Sequence, residues 1–389
     1  MKTLRLYYDN AYLTEFSGIV VHAEGNRVAL NQSAFYPTSG GQPNDLGTLT
    51  FEDTAINVTD VTVEDDIVWH HLDRPIPEGA QVLGQIQWDR RFDHMQQHAG
   101  DHMIAGAVWQ LFGGVTIGLH TGQEESTIDI TMPEGKTHLT DEETAQVEKL
   151  VNERIQHNDP IRCWFPDDKE LSSLPIRKKP TVNEHIRIVA MGDYEMVACG
   201  GTHPSTTGQI GPVKILSTAP SRGNMRLTFL AGMRAAEHYQ ACHRCVREIG
   251  TLLSADVHTA PATLEKLIQA NAAQVKDVQS RLSEATLHMI RMSKHIRDGK
   301  FIYACHLPFA DAAAMQQAAK ELIAEENTLL LLSCRRDGGR MLLFARSRDV
   351  DVDMAALLRK TGARGGGKPD FAQGSTTEET VLDAALSLL

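Results

Sequence analysis

His98 and His102 stand four residues apart in a stretch with helical spacing, so both imidazoles project from one face about a turn apart. That placement suits two ligands of one metal ion. About a hundred residues on, Val197-Ala198-Cys199-Gly200-Gly201-Thr202-His203-Pro204 offers a second pair at the same spacing, on a glycine-rich loop. Gly200 and Gly201 allow the backbone to wrap closely round an ion. Three imidazole nitrogens and one thiolate sulfur form a borderline-soft donor set that suits Zn²⁺. The helical pair alone fits two partly exposed histidines equally well; its combination with Cys199 and His203 points to one zinc ion per chain. Glu does not follow His98, which excludes the His-Glu-x-x-His helix of metalloproteases.

Other stretches carry weaker chemistry. Gly113 to Gly122 follows the histidine helix directly, and Thr116 and His120 within it are candidates for a substrate pocket; a plain hairpin is the competing reading. Gln42, in Ser39-Gly40-Gly41-Gln42, and Thr202 are further pocket candidates. Asp101 points off the face shared by His98 and His102, which fits an exposed residue or an outer partner better than a general base. No residue is assigned as the base. Arg364, Gly365, Gly366, Gly367 and Lys368 form a glycine-rich run whose N–H groups suit a phosphate. The run lacks P-loop spacing, so binding to an RNA backbone is the functional reading and a structural turn the bland one. Local charge favours the first: from 335 to 368 nine residues are basic (335, 336, 340, 346, 348, 359, 360, 364, 368) and four acidic (337, 349, 351, 353). Arg177-Lys178-Lys179 is a second basic cluster. Cys242-x-x-Cys245 shares a helical face with His238 in an apolar seam, so burial of all three is expected rather than redox or metal chemistry.

These groups need elements to hold them. Residues 1–90 alternate in short strands separated by turn-formers, with a Gly/Pro-dense loop from Phe35 to Gly47, and read as a small β-barrel. Residues 91–228 read as an α+β domain with two main helices. The first runs from Asp93 to Leu111 and stops at Gly113-Gly114; the second runs from Asp141 to His157, with Thr140 and Glu143 forming a capping box. Strands follow at Ile186–Met191 and Val213–Leu216. Residues 229–297 are helical. Leu264, Ile268, Asn271, Val275, Val278, Leu282, Ala285, Met289 and Met292 step by four and three, a coiled-coil seam with one polar Asn. Ser254 to Thr263 separates it from a similar seam at Ala235 to Leu252. The segment reads as a helical hairpin or a dimerising arm, which makes a homodimer through the 264–292 seam or the C-terminal domain an expectation. Residues 298–389 read as α/β: a strand at Phe301–Cys305, a helix at Asp311–Glu326, a hairpin round Asp337-Gly338-Gly339, and helices near Met354–Lys360 and Thr377–Leu389, with the glycine run as a loop between the last two. The fold class is therefore α+β and multidomain.

Composition agrees. A chain of 389 residues, 42% hydrophobic and 23% charged, is too long for one core and too apolar for disorder. No apolar run approaches the ~18 residues of a membrane helix, so no membrane partner is expected. Six irregularly spaced cysteines and an N-terminus without a signal-peptide core fit a reduced, cytoplasmic protein. The net charge of −12, from 38 basic and 50 acidic residues, opposes indiscriminate nucleic-acid binding, and DNA is not an expected partner.

Taken together, the motifs resemble those of alanyl-tRNA editing proteins of the AlaX type, in the long form that is similar to the editing and C-terminal domains of alanyl-tRNA synthetase. The likeness rests on Ser39-Gly40-Gly41-Gln42, His98 with His102, Cys199-Gly200-Gly201-Thr202-His203, and Gly365-Gly366-Gly367 with Ala372-Gln373-Gly374 after it. Gly-Gly-Gln also occurs in peptide release factors, but the flanking residues match the editing family. The resemblance implies a Zn²⁺-dependent deacylase of mischarged tRNA(Ala), with His98, His102, Cys199 and His203 at the zinc site, and a C-terminal domain shared with DHH phosphoesterases. Ser-tRNA(Ala) is the expected substrate, with the glycyl ester second and Ala-tRNA(Ala) spared. Related proteins often carry Thr or Ser after the first His; here it is Ala99, so no role follows for that hydroxyl. Two other readings stand beside it: an RNA-binding protein with a structural zinc, and an editing deacylase of different specificity.

Overall fold

Alternation of apolar and polar residues along Glu15–Glu24 (β1) turns Phe16 and Val20 inward, and along Thr54–Glu64 (β4) it does the same for Ile56 and Val58. With Arg27–Leu30 (β2), Gly47–Phe51 (β3), Ile67–Leu72 (β5) and Gln81–Ile86 (β6), these strands close a six-stranded barrel in the order β1-β2-β5-β4-β3-β6. Closure removes the exposed edges that a short-stranded sheet would otherwise present. The barrel has its own core, which includes Phe16, Leu30, Phe35, Leu49, Val68 and Ile86. This is the small β-barrel that the sequence led us to expect. The computed structural model describes residues 2–178 and 185–389.

The histidine helix, α1, runs from Trp88 to Phe112 and ends on Gly113 in the left-handed conformation. It is buried along every face from His94 to Val108, as a helix enclosed on all sides must be. Gln97, fully buried, fastens it: its amide donates to the Ala231 carbonyl at 2.9 Å and accepts from the Ala231 N–H at 3.0 Å. Arg91, two turns before His98, is buried with Asp45 of the barrel loop. Its Nε lies 2.9 and 3.0 Å from the two carboxylate oxygens, while its other nitrogens donate to the carbonyls of Ala11 and Ala34 at 2.8 and 2.6 Å. Every polar group of the pair is used, which is the condition for a buried ion pair to be tolerated.

Around α1 lie two small sheets. Val115–Thr121 (β7), Ser126–Thr131 (β8), Val213–Ser221 (β12) and Asn224–Ala231 (β13) pair in the order β12-β13-β8-β7; Ile161–Trp164 (β9), Ile188–Met191 (β10) and Glu195–Ala198 (β11) pair in sequence order. Asp141–Gln156 (α2) begins with the expected capping box, Thr140 Oγ accepting from Glu143 N and Glu143 Oε2 from Thr140 N. Arg177 is not a free basic handle. It donates to both oxygens of buried Glu195 at 3.0 Å, and Lys178 donates to the Thr116 carbonyl; Lys179 lies outside the described residues. Gly232–Leu253 (α3) follows. Against expectation, Cys242 and Cys245 are exposed on it and His238 is only half-buried.

The chain divides into two compact units, Met1–Cys245 and Val246–Leu389. In the second, Ala260–Met292 (α4) leads into a six-stranded sheet. Its strands are Lys294–Arg297 (β14), Lys300–Leu307 (β15), Thr328–Arg336 (β16), Gly339–Arg346 (β17), Arg364–Lys368 (β18) and Phe371–Thr376 (β19), in the order β14-β15-β16-β17-β19-β18. Only β15 and β16 are parallel, and Ala312–Leu322 (α5) makes their crossover. Leu330 and Leu332 face α5, whereas Leu329 and Leu331 face Met354–Lys360 (α6) and Val381–Ser387 (α7), so this apolar run is buried on both sides. The glycine run expected as a loop is instead strand β18. Gly365 pairs with Gly374, and a Cβ on Gly365 would collide with the Gln373 carbonyl, so the strand needs glycine there. The α4 seam divides. Leu282 and Met289 join the core under the sheet, beside Leu287 and Ile290 from outside the seam, while Leu264, Ile268, Val275, Val278, Ala285 and Met292 are exposed.

Asp45→Asn leaves a buried guanidinium without its counter-charge and should cost the first unit about 3–5 kcal/mol. All four tryptophans (69, 88, 109, 164) lie in that unit, so denaturant unfolding followed by their fluorescence reads the loss directly.

Candidate metal centre

Helix α1 and the loop after β11 bring His98, His102, Cys199 and His203 together, with one donor atom of each within 4.8 Å of all the others. Cys199 Sγ lies 3.1 Å from His98 Nε2 and 3.7 Å from His203 Nε2. The three rings stand 4.8 to 5.3 Å apart, centre to centre. A Cβ on Gly201 would strike the His98 ring, which is why this loop position must be glycine. Arg187 holds the loop from behind, donating to the carbonyls of Cys199 and Gly201 at 3.1 and 2.8 Å.

Gln42 sets the orientation of His98. Its side chain is fully buried, and its amide oxygen accepts from His98 Nδ1 at 2.8 Å and from Thr202 N at 3.2 Å. Its amide nitrogen donates to Thr202 Oγ1 at 2.8 Å. Nδ1 of His98 therefore carries the hydrogen, and Nε2 presents its lone pair to the cluster. Such an outer partner fixes both tautomer and ring plane of a metal-binding histidine. Asp101 lies against His102, with Oδ2 3.7 Å from its Nδ1.

Electrostatics match a cation-binding role. Burial drives the His98 pKa down to about 4, and holds His102 and His203 well below the usual histidine range with help from neighbouring imidazoles. Burial also pushes the Cys199 thiol up to about 12 and Asp101 up to about 8. The imidazoles are thus kept neutral, the form that ligates a metal. His102 Nε2, on the side of its ring away from Asp101, is buried without a hydrogen-bond partner. Buried polar atoms rarely stay unpaired, and a metal ion in the cluster would satisfy that nitrogen. The residues present fit a metal with three nitrogen donors and one sulfur.

The other expected site residues sit as follows. Gln42 and Thr202 stand beside the cluster, Gln42 as the partner of both His98 and Thr202. Thr116 and His120 lie on β7; among the described residues no hydrogen bond links either to the four donors, though Thr116 Oγ is buried and unpaired. Asp101 is buried, not exposed, and stands beside a donor ring. Arg364 to Lys368 form an exposed strand in the second unit. Arg187 carried no sequence signal, since one arginine before an apolar strand resembles any other.

Replacing Gln42 by Leu strips His98 Nδ1 of its partner. Metal affinity should fall about 10–100-fold, read by competition with a chromophoric chelator. In a chain that also carries Cys242→Ser and Cys245→Ser, Cys199→Ser should remove the sulfur-to-metal charge-transfer band of the cobalt-loaded protein.

Three family models match separate stretches of the chain: tRNA synthetases class II (A) over residues 5–90, the threonyl and alanyl tRNA synthetase second additional domain over 186–227, and the DHHA1 domain over 298–389. The first includes Gln42 and the second Cys199 and His203. Alanine--tRNA ligase of Archaeoglobus fulgidus is 30% identical across 100% of this chain and 44% of its own length. The same enzyme from Halorubrum lacusprofundi is 29% identical across 99% of the chain and 43% of its own length; that from Ignicoccus hospitalis is 29% identical across 95% and 41%. This chain therefore spans less than half the length of these relatives. The solved C-Ala domain of alanyl-tRNA synthetase from Aquifex aeolicus is 15% identical over 24% of this chain and 92% of that domain, with a TM-score of 0.23, too low to bear on the fold. The chain thus resembles alanyl-tRNA editing proteins of the AlaX type and, along nearly its whole length, one part of alanine--tRNA ligase.

Proposed function

We propose that this chain is a zinc-dependent hydrolase of mischarged tRNA(Ala), acting on Ser-tRNA(Ala) ahead of the glycyl ester and sparing Ala-tRNA(Ala). What supports this reading above all is the buried convergence of His98, His102, Cys199 and His203 on a loop steered by Gln42. Zn²⁺ held there with one coordination position left open would supply a Lewis acid for the ester carbonyl and for activating water; held by all four side chains it would only position the tRNA end or hold the fold. The chain's own groups do the positioning. Gln42 holds the hydrogen on His98 Nδ1, Arg187 fixes the Cys199–Gly201 backbone, and burial keeps bulk water from the imidazoles.

Selection by a hydroxyl suits such a site. A synthetase pocket for alanine excludes a small competitor poorly, but a second pocket built to bind the serine hydroxyl can reject the alanyl ester by as much as ~10⁴–10⁵. The unpaired Thr116 Oγ and His120 are the proposed hydroxyl contacts, with Gln42 and Thr202 behind them. Exposed Arg364 to Lys368 are the proposed grip on the tRNA backbone. In this reading residues 1–90 are the barrel, 91–228 the editing domain, 229–297 the helical arm and 298–389 the tRNA-holding domain of a cytoplasmic enzyme. Among the described residues no helix is long and apolar enough to cross a membrane. The exposed Leu264, Ile268, Val275 and Val278 on α4 are the proposed contact between two copies of the chain.

Metal-loaded protein incubated with Ser-, Gly- and Ala-tRNA(Ala) should release serine fastest and leave the alanyl ester intact. Chelation or Cys199→Ala should abolish the release. If the serine ester survives while tRNA is still bound, zinc is structural and the chain is an RNA-binding protein. Preference for another ester would reassign the specificity. In sedimentation, the intact chain should be a dimer and Val275→Asp with Val278→Asp a monomer; one monomeric species in both sinks the seam contact.

A further inference from the structure

Helix α1 carries a third histidine that the metal centre does not use. His94 stands one turn before His98, about 6 Å of helix rise away, in the wall of a hollow of about 610 Å³ in the first unit. The imidazole is 3% exposed, and its Nδ1 has no hydrogen-bond partner among the described residues. Thr121 in the same wall is 1% exposed, with its Oγ1 likewise unpaired. Polar atoms orphaned this deep are rare unless something outside the chain meets them. Arg90 supplies charge. Its Nε donates to the Asn44 carbonyl at 3.0 Å, while its two terminal nitrogens bond to no described residue. Arg234 also lines the hollow but is spent, donating to both oxygens of Asp93 and to the Gly122 carbonyl. The one other carboxylate in the described wall, Asp89, is exposed to water and screened by it. Burial lowers the Arg90 pKa, with Arg234 adding to it against Asp45 and Asp93. A bound anion opposes both effects.

The hollow adjoins the candidate metal centre. Pro43, which lines it, follows Gln42, and Thr121 N donates to the Gly41 carbonyl at 3.0 Å. We propose that this hollow binds the last phosphodiester of an RNA 3′ end, with Arg90 as the cation and His94 and Thr121 as hydrogen-bond partners, an inference that rests on the deacylase reading above. A guanidinium matches two phosphate oxygens with parallel N–H groups, which an ammonium cannot do. Burial keeps His94 neutral by lowering its pKa to about 4, so the imidazole has one N–H to donate and the Thr121 hydroxyl another. The aminoacyl ester sits on the ribose beyond that phosphate. A strand anchored one turn before His98 therefore extends its ester toward the donors further along the same helix, past His120, which also lines the hollow. Arg90 is a positioning residue in this arrangement: it holds the strand and takes no part in the chemistry at the ester.

The probe is a short single-stranded RNA ending in CCA-3′ and carrying no amino acid, in two forms: natural, and with a neutral methylphosphonate in place of the last phosphodiester. Fluorescence anisotropy reads binding to the full metal-loaded chain. The unaltered chain should bind the natural RNA about tenfold or more tighter than the modified one. Arg90→Gln should lose that preference and flatten the slope of log affinity against log salt by about one; Arg90→Lys should recover part of both. Inorganic phosphate should displace the natural RNA only at a large molar excess. Three results overturn the proposal: equal affinity for the two RNAs or none for either, an Arg90→Gln chain that keeps the full preference, or displacement by equimolar phosphate, which marks a site for the free ion. Because the probe carries no ester, the two readings fail separately. Hydrolysis of Ser-tRNA(Ala) by a chain without the phosphate preference sinks the hollow alone, whereas an Arg90-dependent preference in a chain that spares the serine ester sinks the hydrolysis alone.

Discussion

One buried charge pair governs where the four candidate donors meet. Arg91 and His98 lie on the same helix, seven residues and two turns apart; Asp45 and Gln42 lie in the same barrel loop, three residues apart. Locking Arg91 to Asp45 therefore sets the register of loop against helix, and that register delivers the Gln42 amide to His98 Nδ1. An ion pair is an expensive way to join two elements, because both charges must be taken out of water. It has a directional benefit that apolar contact lacks. The guanidinium fork, satisfied by a carboxylate and the Ala11 and Ala34 carbonyls, accepts one arrangement of the loop and penalises the rest.

The four side chains of the cluster are of types that could hold a metal cation. Burial raises a thiol to about 12 and drives three imidazoles to neutrality, so without a cation the four side chains carry no charge at all. A divalent ion reverses the balance at the thiol, which deprotonates on coordination. The imidazoles need not change state. Rigidity comes from outside the donors: Gln42 and Thr202 satisfy each other and His98, while Arg187 pins the backbone that carries Cys199.

Much of this was legible in the sequence, because the informative residues belong to types that rarely cluster by chance. The His98-x₃-His102 and Cys199-x₃-His203 spacings pointed to four side chains that do converge, and Thr140 with Glu143 pointed to a helix start by local hydrogen bonding alone. What failed was inference from pattern to partner. The 3/4 spacing that placed Cys242 and Cys245 in a seam says which face is shared, not that anything covers it. Arg177 looked like a solvent charge because nothing local reveals that Glu195, eighteen residues on, is buried beside it. Gly365 to Gly367 read as a loop from composition, whereas close approach of a paired strand is the other reason for glycine. Asp101, expected to be exposed or an outer partner, is buried with its carboxylate 3.7 Å from His102 Nδ1, and its burial depended on elements far away in sequence.

The distribution of charge follows from the same distinction between local pattern and tertiary partner. The net −12 excludes a uniformly cationic surface, and Arg177 is spent on Glu195, so the basic surplus between 335 and 368 is the main cationic stretch left to meet a polyanion. Within it Arg340 pairs with Glu379, whereas Arg364 and Lys368 stand exposed on β18. A polyanion held by so few cations releases few counterions, so its binding depends less steeply on salt than binding to a basic body would. On the proposed reading the RNA product must leave after turnover; few contacts on a short exposed strand are compatible with that requirement, and a protein coated in lysine is not.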